Sequence, residues 1–220
     1  MKKKALLLTL TLSVASIFLL LCGCGAKSST INVNYAPLYL KIASKSSMPN
    51  AEKINLYAEN FSDMRGNIGN NVIGEAKTGT FDKKTPILID DGVIDLSSRT
   101  LRQAFSNQGF NMVKDENSAD LVFKGRINRF WVQEILSSSA FSGSGQSEAE
   151  VAFDVALIDR VHAKTIWFDV KACLIKSGKA IDTTTQNEIA INEAFSKVIT
   201  SIIHDEALRM AIRDFIKSKK

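Results

Sequence analysis

"VAFDVALIDRVHAKTIWFDVKACL", residues 151–174, decides what kind of fold this chain makes. Val151, Phe153, Val155 and Leu157 recur at every second residue. After Asp159-Arg160-Val161-His162-Ala163-Lys164 the same period returns in Ile166, Phe168, Val170 and Ala172. Side chains of an extended strand alternate between two faces, so each run lays an apolar stripe on one of them. The residues between the runs turn the chain back on itself, which predicts an antiparallel hairpin with both stripes in the core.

Working upstream, Ala119 to Ile135 adds a long strand to this hairpin, with Leu121, Phe123, Gly125 and Ile127 on one side. The run Phe130-Trp131-Val132 breaks the alternation and predicts a bulge or burial on both faces. Residues 137–147, SSSAFSGSGQS, read as a flexible loop within the meander, with Phe141 at its tip. Earlier strands are expected at Ile31–Tyr35, Ile54–Ala58 and Thr85–Ile89, the last at a sheet edge because Pro86 removes a ladder donor. The Gly/Asn-rich stretch 67–74 between them reads as a loop.

Two segments change period. Asp95 is the expected cap of a helix that presents Leu101, Ala104 and Phe105 on one face and ends at Gly109, before a strand at 110–113. From about Thr185, Ile191, Ala194, Phe195, Val198, Ile199 and Ile202 form one helical stripe. A bend is expected at Asp205-Glu206 before Leu208, Ile212 and Phe215. Two helices that each bury one stripe need one face of a sheet. The expected fold is therefore α+β: a single two-layer domain, a largely antiparallel sheet with two helices packed on one face.

The start of the chain sets its compartment. Three lysines, Lys2 to Lys4, precede an uncharged apolar run from Ala5 to Leu21, as in a bacterial export signal. Leu21-Cys22-Gly23-Cys24 then matches a lipobox, with Gly at −1 and Leu at −3 relative to Cys24. Cys22 has the bulky Leu21 before it and would leave with the signal. The expected organisation is a signal peptide at 1–23, a lipidated tether at 24–30 and a periplasmic domain at 31–220. Cys24 is the lipid attachment site, its acyl and diacylglyceryl groups covalent; no other cofactor is expected. A metal clamp or redox pair at Cys22/Cys24 lacks further ligands at a suitable spacing.

Without Lys2, Lys3 and Lys4, the 28 basic residues fall to 25 against 23 acidic ones, so the mature charge is nearly balanced. That balance offers no basic face for nucleic acid. Cys173 would be the one cysteine left in the domain, a half-buried small hydrophobe rather than a nucleophile. No hydrolase elbow, zinc-protease helix or phosphate loop is present, and two histidines give little material for acid–base catalysis. The chain reads as a non-enzyme.

Four residues stand out as candidate contacts for a partner. Asp63 and Arg65 lie two apart at a strand end, where they make either a contact or an ion pair fixing the glycine-rich segment. Trp131, with Phe130, makes either an aromatic ligand wall or part of the core, and Phe141 makes either an inserting finger or hairpin slack. Asp90-Asp91-Gly92 with Asp95 is explained by a turn and a cap rather than by calcium, since the later oxygens of a calcium loop are missing.

Taken together, the lipobox, Asp63-x-Arg65, the helix closing on Gly109-Phe110, Ala119-Asp120-Leu121, the meander and the closing Phe215-Ile216-Lys217 resemble the YajG family of bacterial outer-membrane lipoproteins. The chain departs from that family in a longer glycine-rich segment between Asp63 and Pro86. The resemblance implies a location and a shape rather than an activity. With Gly25 after Cys24, the expected location is the outer membrane, with the domain facing the periplasm. The expected role is an accessory or structural subunit of an envelope assembly, with the membrane and another envelope protein as partners. The alternative is a small-ligand- or glycan-binding lipoprotein, using a groove near Trp131.

Overall fold

The computed structural model describes residues 28–35, 48–78, 83–136, 145–177 and 183–219. Cys24 and Phe141, and with them the signal and most of the 137–147 loop, lie outside the described residues.

The meander of residues 121–176 is the frame. β7 (Leu121–Leu136), β8 (Gly145–Asp159) and β9 (Lys164–Lys176) pair antiparallel in chain order. The other edge of β7 carries three shorter strands end to end, all parallel to it: β2 (Asn55–Ala58), β3 (Ser62–Asp63) and β4 (Val72–Thr78). β6 (Asn111–Met112) pairs β2, while β5 (Lys83–Leu88) pairs β4 and β1 (Ser29–Thr30) pairs β5. The fold is α+β as expected, but its nine-stranded sheet is mixed. The long ladders are antiparallel; the short strands on β7's other edge run parallel because the helix Val93–Asn107 and its flanking turns return the chain the same way.

Three further expectations change. The sheet takes in Ser29 and Thr30, which were assigned to the tether. Gly145, Gln146 and Ser147, assigned to the loop, pair with β7 as the start of β8. β5 is not the edge, because β1 covers Ile87 and Leu88. Pro86 is tolerated because that two-residue strand pairs only beyond it.

α1 (Val93–Asn107), α2 (Thr183–Ile203) and α3 (Glu206–Ser218) pack against the sheet. Phe105 of α1 meets Phe123 of β7 at 5.1 Å between ring centroids, and Phe195 of α2 meets Phe130 at 5.5 Å and Phe153 at 6.4 Å. The expected bend at 205–206 is a full break: His204 and Asp205 interrupt the helix, and the Asp205 carboxylate accepts the Leu208 N–H at 2.7 Å to start α3. α1 is capped differently from expectation. Asp95 sits inside its first turn, and the cap is Asn70, 24 residues earlier, whose Oδ1 accepts the Ile94 N–H at 3.1 Å. Gly92, with φ +74°, lets this happen, since a Cβ there would lie 2.3 Å from the Asn70 amide nitrogen.

The expected bulge in β7 is at Asn128, two residues before the aromatic run. It shifts the inward set from Phe123 and Ile127 to Phe130 and Val132, and it sends Arg129 and Trp131 to the outer face.

Candidate functional site

The strongest departure from the sequence reading is in β9, and it defines the candidate interface. In β8 the inward set is as expected: Val151, Phe153, Val155 and Leu157 are all buried. Their partners on β9 are Cys173, Lys171, Asp169 and Trp167. From Phe168 onward the expected core stripe therefore points outward, with Phe168 61% and Val170 54% exposed and Leu174, on the same face, 52%, whereas Ile166 packs against the core. The cause is a register break: Leu157 pairs with Trp167 but Ile158 with Thr165, leaving Ile166 unpaired. One extra residue moves every later side chain to the opposite face.

The two charges this places on the helix side are satisfied there. The Lys171 Nζ lies 2.5 Å from Asp205 and 2.6 Å from Asp169. Asp205 also accepts the Trp167 indole N–H at 3.2 Å. Burial alone would raise the Asp205 carboxyl, but Lys171, the Leu208 N–H and Trp167 outweigh it and hold it below its ordinary value. Burial likewise works against the Lys171 ammonium, and Asp169 and Asp205 override it, so its pKa is raised.

A carboxyl lowered in the folded state stabilises the fold above its unfolded value, and that contribution is lost as pH falls through the folded one. The midpoint of thermal unfolding is therefore expected to fall on acidification from about pH 5 to about pH 3, and to fall less steeply in Asp205→Asn. An equal slope in both proteins would remove Asp205 from this account.

β9 pairs with β8 alone among the described residues, so its far side is a sheet edge 13 residues long. Sheet edges are normally short, charged or bulged, because their free N–H and C=O groups recruit other strands. This edge is long, with three large apolar side chains beside it. One of its central donors is masked locally, since the Val170 N–H bonds the neighbouring Asp169 carboxylate at 2.7 Å.

The three candidate contacts among the described residues, Asp63, Arg65 and Trp131, separate. The Arg65 side chain is 2% exposed and forms a two-pronged ion pair with Asp63, Nε to Oδ1 at 2.9 Å and Nη2 to Oδ2 at 2.7 Å. Its Nη1 also donates to the carbonyls of Val72 at 2.7 Å and Phe130 at 3.3 Å. The pair is therefore a clamp that ties the glycine-rich segment and β4 to β7, and it is turned away from partners. Burial raises the Asp63 carboxyl, and the Arg65 hydrogen bonds and charge bring it below its usual range.

Phe130 is fully buried against Phe195, whereas Trp131 is half-buried on the outer sheet face, with the Arg129 guanidinium 5.6 Å from its ring centroid. A cavity of about 340 Å³ opens beside it, lined by Ile68, Glu75, Lys84, Arg129, Trp131, Gln133 and Glu134. Glu75 and Lys84 pair across the hairpin at 2.8 Å.

Cys173 and His162 do not meet. His162 is 73% exposed on the β8–β9 turn, where its Nδ1 lies 2.6 Å from Asp159, and Cys173 lies near the far end of β9. Burial raises the Cys173 thiol pKa, which keeps it protonated. Asp91 pairs with Arg99 at 2.5 Å, and no cluster among the described residues has the donors to hold a metal ion. No helix of the described residues is long and apolar enough to cross a membrane.

No protein-family model matches the chain, and no curated protein matches it. Among solved structures it is similar to a Xanthomonas campestris protein of the DUF330 family. The two share 13% identity over 86% of this chain and 99% of that one, with a TM-score of 0.57. A minor lipoprotein from Acinetobacter baumannii shares 9% identity over 52% of this chain and 84% of that one, with a TM-score of 0.37. At 13% identity, what the first of these shares with the chain is the fold.

Proposed function

We propose that the chain is a lipid-anchored protein of the bacterial envelope, related to the YajG-like lipoproteins and held through Cys24 to the outer membrane. Its domain works in the periplasm without catalysis, as an accessory subunit of an envelope assembly. The open, apolar-flanked edge of β9 carries this reading. A lone domain has no use for Phe168, Val170 and Leu174 in solvent, and an edge of this length is a template for protein contact. Acyl chains at Cys24 would supply membrane affinity of about 0.8 kcal/mol per buried methylene. Confinement near a membrane then makes a modest edge contact effective through local concentration.

The cavity beside Trp131 favours a second reading, a small-ligand- or glycan-binding lipoprotein. Its size suits a small molecule, and the paired charges around an aromatic ring suit a polar one.

The test of the first reading labels the full-length chain with palmitate and crosslinks envelopes briefly before solubilisation. Wild type is expected to carry label, sediment with membranes and recover an envelope protein. Cys24→Ala is expected to lose label and sedimentation. Phe168→Lys is expected to keep both and lose the recovered protein. Label retained in Cys24→Ala, or recovery unchanged in Phe168→Lys, would overturn the reading.

A further inference from the structure

We infer that the β9 edge pairs with the β9 edge of a second copy of this chain, antiparallel about a two-fold axis at Val170. This rests on the reading of β9 as a contact edge and goes on to name its occupant.

The direction of one donor sets the parity of the ladder. The Val170 N–H is taken by the Asp169 carboxylate. The Ser177 N–H, seven residues on and so of opposite parity, donates to the Ser147 carbonyl of β8 at 2.8 Å, so the Val170 N–H points to the free side of β9. Backbone groups of alternate residues share a side in an antiparallel ladder, so Phe168, Ala172 and Leu174 offer their N–H and C=O groups to the same edge. A two-fold axis at Val170 sets that residue opposite itself as a hydrogen-bonded pair. It sets Phe168 opposite Ala172 of the second copy, and the reverse. The outward side chains then form apolar cross-strand pairs, Val170 on Val170 and Phe168 on Ala172.

Charge selects this register. On the helix side the centre of β9 reads Asp169, then Lys171. With the axis at Val170, Asp169 faces Lys171 of the second copy, twice over. An axis at Asp169 would set two aspartates opposite each other, and one at Lys171 would set two lysines opposite. An axis at Phe168 or Ala172 leaves both charges opposite uncharged residues. Like charges directly opposite in a ladder are destabilising, so one register in five satisfies both charged residues. Asp169 is 38% exposed at its side chain and holds its own Lys171 at 2.6 Å, while Lys171, at 17%, is also held by Asp205 and points along the helix side. Pairing exchanges like bonds for like: the Val170 N–H leaves the carboxylate for a carbonyl, and the Asp169–Lys171 ion pair within each chain is traded for, or shared with, the same pair between the two copies. Lys176, which falls opposite Lys164 at the ends of the ladder, is already neutralised by Glu148 at 3.0 Å.

The test uses the full-length chain in its membranes, in a Cys173→Ser background, with single substitutions Phe168→Cys, Val170→Cys or Ala172→Cys and an oxidant to form disulfides. Residues opposite in a hydrogen-bonded pair have Cα atoms about 5.5 Å apart, within disulfide reach. Residues 168 and 172 would each lie roughly 13 Å from their own copies. The expected result is a disulfide dimer at 170, several-fold above 168, 172 and the background without an added cysteine. Asp169→Lys is expected to abolish it, and Asp169→Glu to keep it. Equal yields at the three positions, or a yield at 170 indifferent to Asp169→Lys, would overturn the inference. A product at 170 containing a different protein would overturn it and leave the proposed function standing. No product at 170, together with unchanged recovery in Phe168→Lys, would overturn both.

Discussion

Replacing Arg65 by alanine is expected to destabilise the domain by about 3–5 kcal/mol, a large share of the 5–15 kcal/mol typical of a domain. The magnitude follows from what is left behind. The Arg65 side chain is 2% exposed, and the Asp63 side chain, at 13%, would remain as a largely buried carboxylate without its cation. The carbonyls of Val72 and Phe130 would lose a charged donor as well. Arg65→Lys is expected to fall between, because an ammonium cannot make the two parallel bonds to Asp63 while also reaching Val72. The double change Asp63→Ala/Arg65→Ala is expected to cost less than the sum of the singles, since removing both charges leaves neither stranded. Denaturant unfolding of the four proteins measures all of this. A loss below about 1 kcal/mol in Arg65→Ala would mean that the clamp is a surface pair, contrary to its burial.

That clamp also shows where local pattern stops being informative. Asp63 and Arg65 stand out in the sequence, and their ion pair was one of two readings of them. The strand they secure did not stand out, because Asn67 to Gly74 carries turn residues throughout. Gly74 is there for a close approach: a Cβ at that position would sit 2.0 Å from the Val132 carbonyl of β7. Such a reason belongs to the neighbouring strand and leaves no trace in the composition of this one. Asn70 as the cap of α1 is hidden in the same way, by 24 residues of intervening chain.

β9 is a different kind of failure. Its alternation is legible, but both of its faces are acceptable to hydropathy, which favours the more apolar one as inward. The choice is made by the unpaired Ile166 at the hairpin end and by Asp205, 34 residues downstream of Lys171, which makes a helix-side lysine tolerable. Neither lies within the periodic run. The parts read correctly, the β8 stripe and the α2 stripe, are those in which hydropathy and tertiary pairing agree.

The sharpest check on that facing is a pair of identical truncations, Phe153→Ala and Phe168→Ala. Phe153 is fully buried, 5.0 Å from Phe61 and 6.4 Å from Phe195 between ring centroids, at the centre of the layer between sheet and helices. Its loss is expected to cost about 3–5 kcal/mol, because the transfer free energy of the ring is lost and Phe61, Phe195 and Ile127 close only part of the cavity. Phe168 is 61% exposed on the next strand, so its removal is expected to stay within about 0.5 kcal/mol of wild type. Thermal unfolding of both variants reads the difference directly. A large loss at 168 with little at 153 would put the helices on the other face of the sheet and turn the apolar stripe of β9 into core. The expected opposite result separates two jobs that the same residue type does on adjacent strands. Phe153 holds the domain together, while Phe168 contributes little to the stability of a single copy and is free to serve contacts between chains.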